Sequence, residues 1–140
     1  LQHTYVVDAV HWLEWAKMLR DDSDLAFDYL SCITAIDLGQ EAQSMEIVYT
    51  LFSFKNETLI HFKIMISREI GTKVPSVASI WRTADWHERE IFDLYGIEFE
   101  NHPDLRRILL PADWEGHPMR KDYIEQEYYH GIKVAYQNLE

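Results

Sequence analysis

Apolar Trp12, Trp15, Ala16 and Leu19 recur at three- and four-residue spacing behind Asp8, a residue type that caps helices. A helix is therefore expected from Asp8 to about Leu19, ended by the polar run DDSD at 21–24. Residues 25–38, LAFDYLSCITAIDL, are mostly apolar, and β-branched Ile33, Thr34 and Ile36 crowd the second half, which predicts an irregular or briefly helical lead-in to a strand. After the turn at Gly39, MEIVYTLFSF at 45–54 and TLIHFKIMI at 58–66 flank KNE and predict a hairpin. In its second arm Ile60, Phe62, Ile64 and Ile66 share one face while His61 and Lys63 share the other, so one side of the sheet should be packed and the other partly wet.

GTKVPS at 71–76 interrupts the pattern and places Ser76 to cap one long helix that runs to the stop at Gly96. On that helix Val77, Ile80, Trp81, Ala84, Ile91 and Tyr95 form an apolar stripe with Glu88 in its middle. A buried carboxylate without partners is costly, so Glu88 should meet an arginine, a set of N–H donors or a second chain. The opposite face carries Arg82, Trp86, Arg89 and Asp93, with Asp85–Arg89 and Arg89–Asp93 one turn apart and suited to weak pairing. A tryptophan among charges is a candidate interface anchor; the plainer reading covers Trp86 with the C-terminal segment and gives Glu88 one internal ion pair. Beyond residue 96 no period is sustained. The expected fold class is α+β, a small antiparallel or mixed sheet with flanking helices and a long irregular C-terminal segment, organised as one domain over residues 1–140.

Charge and composition narrow the chemistry. A net charge of −11 and a pI near 5.0 argue against a nucleic-acid partner, whose phosphates need clustered Lys and Arg. Cys32 is the single cysteine, so no internal disulfide can form and an iron–sulfur cluster, which needs about four thiolates, has no ligand set. Neither a cofactor nor a metal is expected. No window approaches the ~20 apolar residues of a membrane-spanning helix. The start, LQHTYVVDAVHW, lacks a basic and then apolar leader, so the chain is expected to be soluble, not secreted, and to meet a membrane only through a partner.

The segment 102–123, HPDLRRILLPADWEGHPMRKDY, holds 4 bases and 4 acids, while the rest of the chain carries 9 and 20. Its two His-Pro pairs begin turns. Arg106, Arg107, Arg120 and Lys121 are thereby presented on irregular backbone beside Trp114 and Tyr123, a composition suited to pairing with carboxylates of a neighbour. His87, Glu88, Glu90, His102, Asp104 and His117 could be gathered on paper into a metal-dependent hydrolase. The spacing opposes it: a helical zinc motif needs a second histidine where position 91 is Ile. No nucleophile elbow, phosphate-cradling loop, dinucleotide fingerprint or triad pattern is present.

From 87 to 123, HEREIFDLYGIEFENHPDLRRILLPADWEGHPMRKDY resembles the signature of the 30-kDa or C-type component of respiratory NADH:quinone oxidoreductase (complex I). With IWRTADW, FDYLSCITAID and the hairpin, the likeness runs from about residue 25 to 130. The resemblance implies a non-catalytic hydrophilic-arm subunit without a redox centre. It would scaffold the D-type component, which forms the quinone site, near the B-type component, which carries the terminal cluster, peripherally at the cytoplasmic face of the bacterial inner membrane. It also implies a docking tail from about 97 to 140. The matching signature residues are Glu88, Arg89, Glu90, Asp93, Gly96, His102, Pro103, Asp104, Arg106, Arg107, Trp114, Gly116, His117, Pro118, Arg120, Lys121, Asp122 and Tyr123, expected to serve folding and docking, with Trp86 beside them. Two departures stand out: Ile124 replaces the proline many members carry after RKDY, and the chain stops at Glu140, which implies less wrapped surface than a longer tail provides. Homologous components of ferredoxin-linked quinone oxidoreductases and membrane-bound hydrogenases share the signature, which leaves the electron donor open.

Overall fold

The computed structural model of the protein describes residues 3–134, so the last six residues of the expected tail lie outside the described residues. β1 (His3–Val7) leads through a single 3-10 turn at Ala9–His11 into α1 (Trp12–Asp21). Asp8, expected to cap the helix itself, instead caps this turn, accepting the Val10 N–H at 3.0 Å, and α1 begins behind His11 without a side-chain cap. β2 (Tyr29–Asp37), β3 (Ser44–Ser53) and β4 (Thr58–Ser67) follow as a meander, and with β1 they form one sheet in the order β1-β4-β3-β2. β3 runs antiparallel to both neighbours, whereas β1 lies parallel to β4, which makes the sheet mixed. The register of β2 shifts between Leu30 and Cys32, a bulge in a strand whose other side has no strand partner among the described residues.

The core lies on one face of this sheet. Leu30, Ile33 and Ala35 of β2, Met45, Ile47, Tyr49 and Leu51 of β3, and Ile60, Phe62, Ile64 and Ile66 of β4 all point into it. Trp12, Ala16 and Leu19 of α1 cover them, the Trp12 ring standing 4.5 Å from Tyr49 and 5.6 Å from Phe62. Tyr29, Ile36, Val48, Lys63 and Met65 occupy the outer face and are partly or fully exposed, as the alternation predicted.

β5 (Lys73–Pro75) pairs in parallel with β6 (Glu98–Glu100), and between them α2 (Ala84–Tyr95) packs on β2. The expected helix from residue 77 is shorter by seven residues: 77–83 form turns. Distant contacts hold these turns in place: Val77 N–H goes to Glu88, the Trp81 indole to Phe27 O and the Thr83 hydroxyl to Leu30 O. The helix ends where predicted, at Gly96, with φ +76°. A last hairpin joins β7 (Tyr128–Tyr129) and β8 (Ile132–Lys133). The short strands β5 to β8 and β1 were not foreseen. Among the described residues no helix is long and apolar enough to cross a membrane.

Candidate functional site

The signature residues converge where the segment after β6 lies along α2. Asp93 is the hub. Fully buried, it accepts the N–H groups of Ile108, Leu109 and Leu110 at 2.7–3.1 Å on one oxygen and the Arg107 guanidinium at 2.8 Å on the other. Burial alone would push its carboxyl up; the three N–H donors and Arg107 outweigh it and hold the group below the usual carboxylate range. Arg107 continues to the carbonyls of Asp93, Trp114 and Gly116, and His117 Nδ1 meets the Asp93 carbonyl at 2.9 Å. Arg89 spans to the carbonyls of Arg106 and Arg107. The Asp85–Arg89 and Arg89–Asp93 pairs expected on a wet face are therefore not formed among the described residues: the tail covers the end of that face at Arg89 and Asp93 and buries both, while Arg82 and Trp86 stay exposed.

Glu88, 0% exposed, finds N–H and O–H donors and not an arginine. Its carboxylate accepts Val77 N–H at 2.7 Å and the Ser76 hydroxyl at 2.5 Å, while the same hydroxyl accepts Ala78 N–H at 3.1 Å. The His102 ring stands 3.8 Å away, its Nδ1 accepting Asp104 N–H and its Nε2 directed at Asp85 O, each at 3.0 Å. A donor to Nδ1 fixes the ring proton on Nε2. Burial raises the Glu88 carboxyl to about 7, against the pull of Ser76 and Val77 and with a push from Asp85. The buried Tyr49 hydroxyl and Trp12 indole nitrogen have no hydrogen-bond partner among the described residues, and Glu88 adds to the burial that raises Tyr49.

A second knot fixes the far end of the segment. Asp37, closing β2, takes a bidentate contact from Arg68 at 2.7 and 2.9 Å, plus the N–H groups of Gly39 and, 84 residues along the chain, Lys121. Arg68 also grips Asp122, and Arg120 donates to the carbonyls of Tyr95 and Arg68. The Arg68 guanidinium, then Lys121 and Gly39, hold the Asp37 carboxyl far below its ordinary range. Reading by sequence missed Asp37 and Arg68, although an Asp two residues before a turn glycine is a recognisable local motif. Gly96 is required twice, by its left-handed φ and because a Cβ there would sit 2.6 Å from the His117 ring. Trp114 donates its indole N–H to Tyr123 at 3.0 Å.

Several of the singled-out side chains face outward, Asp104 among them. Trp86 is 62% exposed, not covered, with the Arg89 guanidinium 5.3 Å from its ring centre. Glu90 and Lys121 are exposed, and the Arg106 side chain meets only Asp104, at 2.8 Å, among the described residues. Among the described residues no three His, Cys, Asp or Glu groups converge as metal ligands, and His102 and His117 spend ring nitrogens on backbone partners, so the hydrolase alternative has no geometry behind it.

Fold and site define a class: an α+β domain whose conspicuous charged residues clamp an irregular segment onto one helix. Residues 5–129 match the family described as the respiratory-chain NADH dehydrogenase 30 Kd subunit, and the chain belongs to that family. It is 50% identical over 133 residues to the C subunit of the NADH-quinone oxidoreductase of Chloroherpeton thalassium, covering 93% of this chain and 52% of the relative. It is 48% identical over 134 residues to the same-named protein of Chlorobium phaeobacteroides, covering 94% and 78%. The Roseiflexus sp. relative of that name is 48% identical over 108 residues, which make up 76% of this chain and 61% of the relative. The fold also matches a chain in the structure of the membrane-bound sulfane sulfur reductase, an archaeal respiratory membrane complex, with a TM-score of 0.77 at 24% identity over 89% of this chain and 74% of that one.

Proposed function

We propose that the chain is a non-catalytic hydrophilic-arm subunit of a proton-pumping NADH:quinone oxidoreductase. It acts as one docking domain that supports the D-type, quinone-site component beside the B-type, terminal-cluster component, peripherally at the cytoplasmic face of the inner membrane. The observation that carries this reading is the clamp itself. Asp93, Arg107, Arg89, His117 and Arg120 are spent on intramolecular contacts that make the segment after β6 rigid. Trp86 and Glu90 on α2, and Arg106 and Lys121 on that segment, remain outward. A preformed surface of this composition, an aromatic anchor rimmed by charges, suits attachment to a partner without an ordering cost at the moment of binding. Immunoprecipitation from a mild-detergent extract of native membranes tests it: the D-type and B-type components should come down in stoichiometric amounts. Recovery of the chain alone would overturn the reading.

A further inference from the structure

Residues 5–19, the least distinctive by sequence, wall an apolar recess together with Leu25, Phe27 and the start of β4. Three cavities of about 380, 260 and 190 Å³ all border Trp15: the first two run between β1 and α1, and the third lies on α1 itself beside Glu14 and Met18. The largest is walled by Tyr5, Trp15, Met18, Leu25, Phe27 and Phe62, with Thr58 as its one polar side chain. α1 buries Trp12, Ala16 and Leu19, which suffices to seat it on the sheet. Trp15 and Met18 are surplus to that seat. They are 45% and 43% exposed, one turn apart, and Tyr5 beside them is 51% exposed. Contiguous half-exposed side chains of this size mark a surface that another body covers.

The electrostatics choose the occupant. Asp8 and His11 line the second cavity and Glu14 the third; among the described residues no Lys or Arg lines any of the three. Glu14 is 84% exposed and its sole ion-pair partner among the described residues is His11 at 3.8 Å. Arg20, the nearest arginine on the helix, is turned away to Ile80 O and Asp21. A second copy of a chain carrying −11 would set acid against acid here, and an anionic lipid surface would be repelled in the same way. A cationic, apolar-faced partner satisfies both features. We propose that the β1–α1 furrow is the docking groove for an amphipathic segment of another polypeptide, one large apolar side chain of which fills the recess beside Trp15 while flanking lysines or arginines meet Asp8 and Glu14.

The groove uses elements other than the α2 clamp, so it stands or falls apart from the preceding proposal. The test compares the purified chain with the same protein in native membrane extract, by hydroxyl-radical oxidation and zero-length carbodiimide coupling. The expected result is severalfold slower oxidation of Trp15 and Met18 in the extract, with exposed Phe54 and Met65 as reference positions away from both proposed surfaces, and an amide link from Asp8 or Glu14 to a lysine in an amphipathic stretch of a different protein. Glu14→Lys, a change on an exposed helix position, should lose the protection while circular dichroism shows the fold intact. Equal oxidation in both samples would overturn the proposal. So would protection without any carboxyl–amine link, or a link to a lysine of this same sequence, since those results identify an uncharged partner, a second copy or the chain's own segment.

Discussion

Glu88 shows how one residue sets a pH response. Its folded carboxyl titrates near 7 against an ordinary 4.5, so between those values the folded state holds a proton that the unfolded state releases. Its contribution to stability should be complete below the ordinary value and be lost as pH rises through 7, by about 3 kcal/mol over the whole interval. Urea denaturation at pH 5 and pH 8 reads this directly: the wild type should weaken at the higher pH, and Glu88→Gln, which keeps an acceptor for Val77, should flatten the difference. A wild type equally stable at both would contradict the burial argument. Asp93 has the opposite sign, its carboxyl held low and fully ionised in the fold at neutral pH. Asp93→Ala strands three N–H groups and the Arg107 guanidinium, and should cost about 3–5 kcal/mol. Asn at the same position, keeping one oxygen, should lose less.

Among the elements, those whose residues carry their own period were legible: α1, the second half of 25–38, both arms of the hairpin and the end of α2 at Gly96. Those made by distant partners were not. β1 is five residues with no alternation to advertise it and exists because β4 offers a free side; β5 and β6 are three residues each and find one another across α2. The turns at 77–83 likewise follow from Glu88, Phe27 and Leu30, none of them local. At the site, the need for donors around Glu88 was readable from one carboxylate in an apolar stripe. The burial of Asp93 was not, because the covering segment has no period. Asp37 joins these levels, tying the end of β2 to Lys121. Asp37→Ala should leave the four-stranded sheet folded while segment 117–123 becomes the first site cut in limited proteolysis. Its contribution should be complete at neutral pH and disappear as pH falls below the ordinary 3.8 toward the depressed folded value.

For the molecule as a whole, two populations of signature residue emerge. On the proposed function, those that clamp would act through stability and those that face outward through assembly. Trp86→Ala and Arg106→Ala should therefore leave the melting temperature of the isolated chain within about 2 °C, since exposed substitutions usually change stability by less than ~0.5 kcal/mol. In membranes the same variants should lower the quantity of assembled oxidoreductase while turnover per assembled complex stays unchanged. Blue-native electrophoresis beside an activity stain separates the two, and full assembly with collapsed turnover would assign these side chains to the chemistry.

The bulge between Leu30 and Cys32 has an effect on colloidal behaviour. Among the described residues β2 is a free edge of nine residues, the kind of template on which like chains nucleate fibrils, yet its hydrogen-bonding row is broken at the bulge and the Leu30 carbonyl is already taken by the Thr83 hydroxyl. An incoming strand would find neither an even ladder nor a vacant first acceptor, so the molecule can wait for its partners at high concentration without recruiting its own kind.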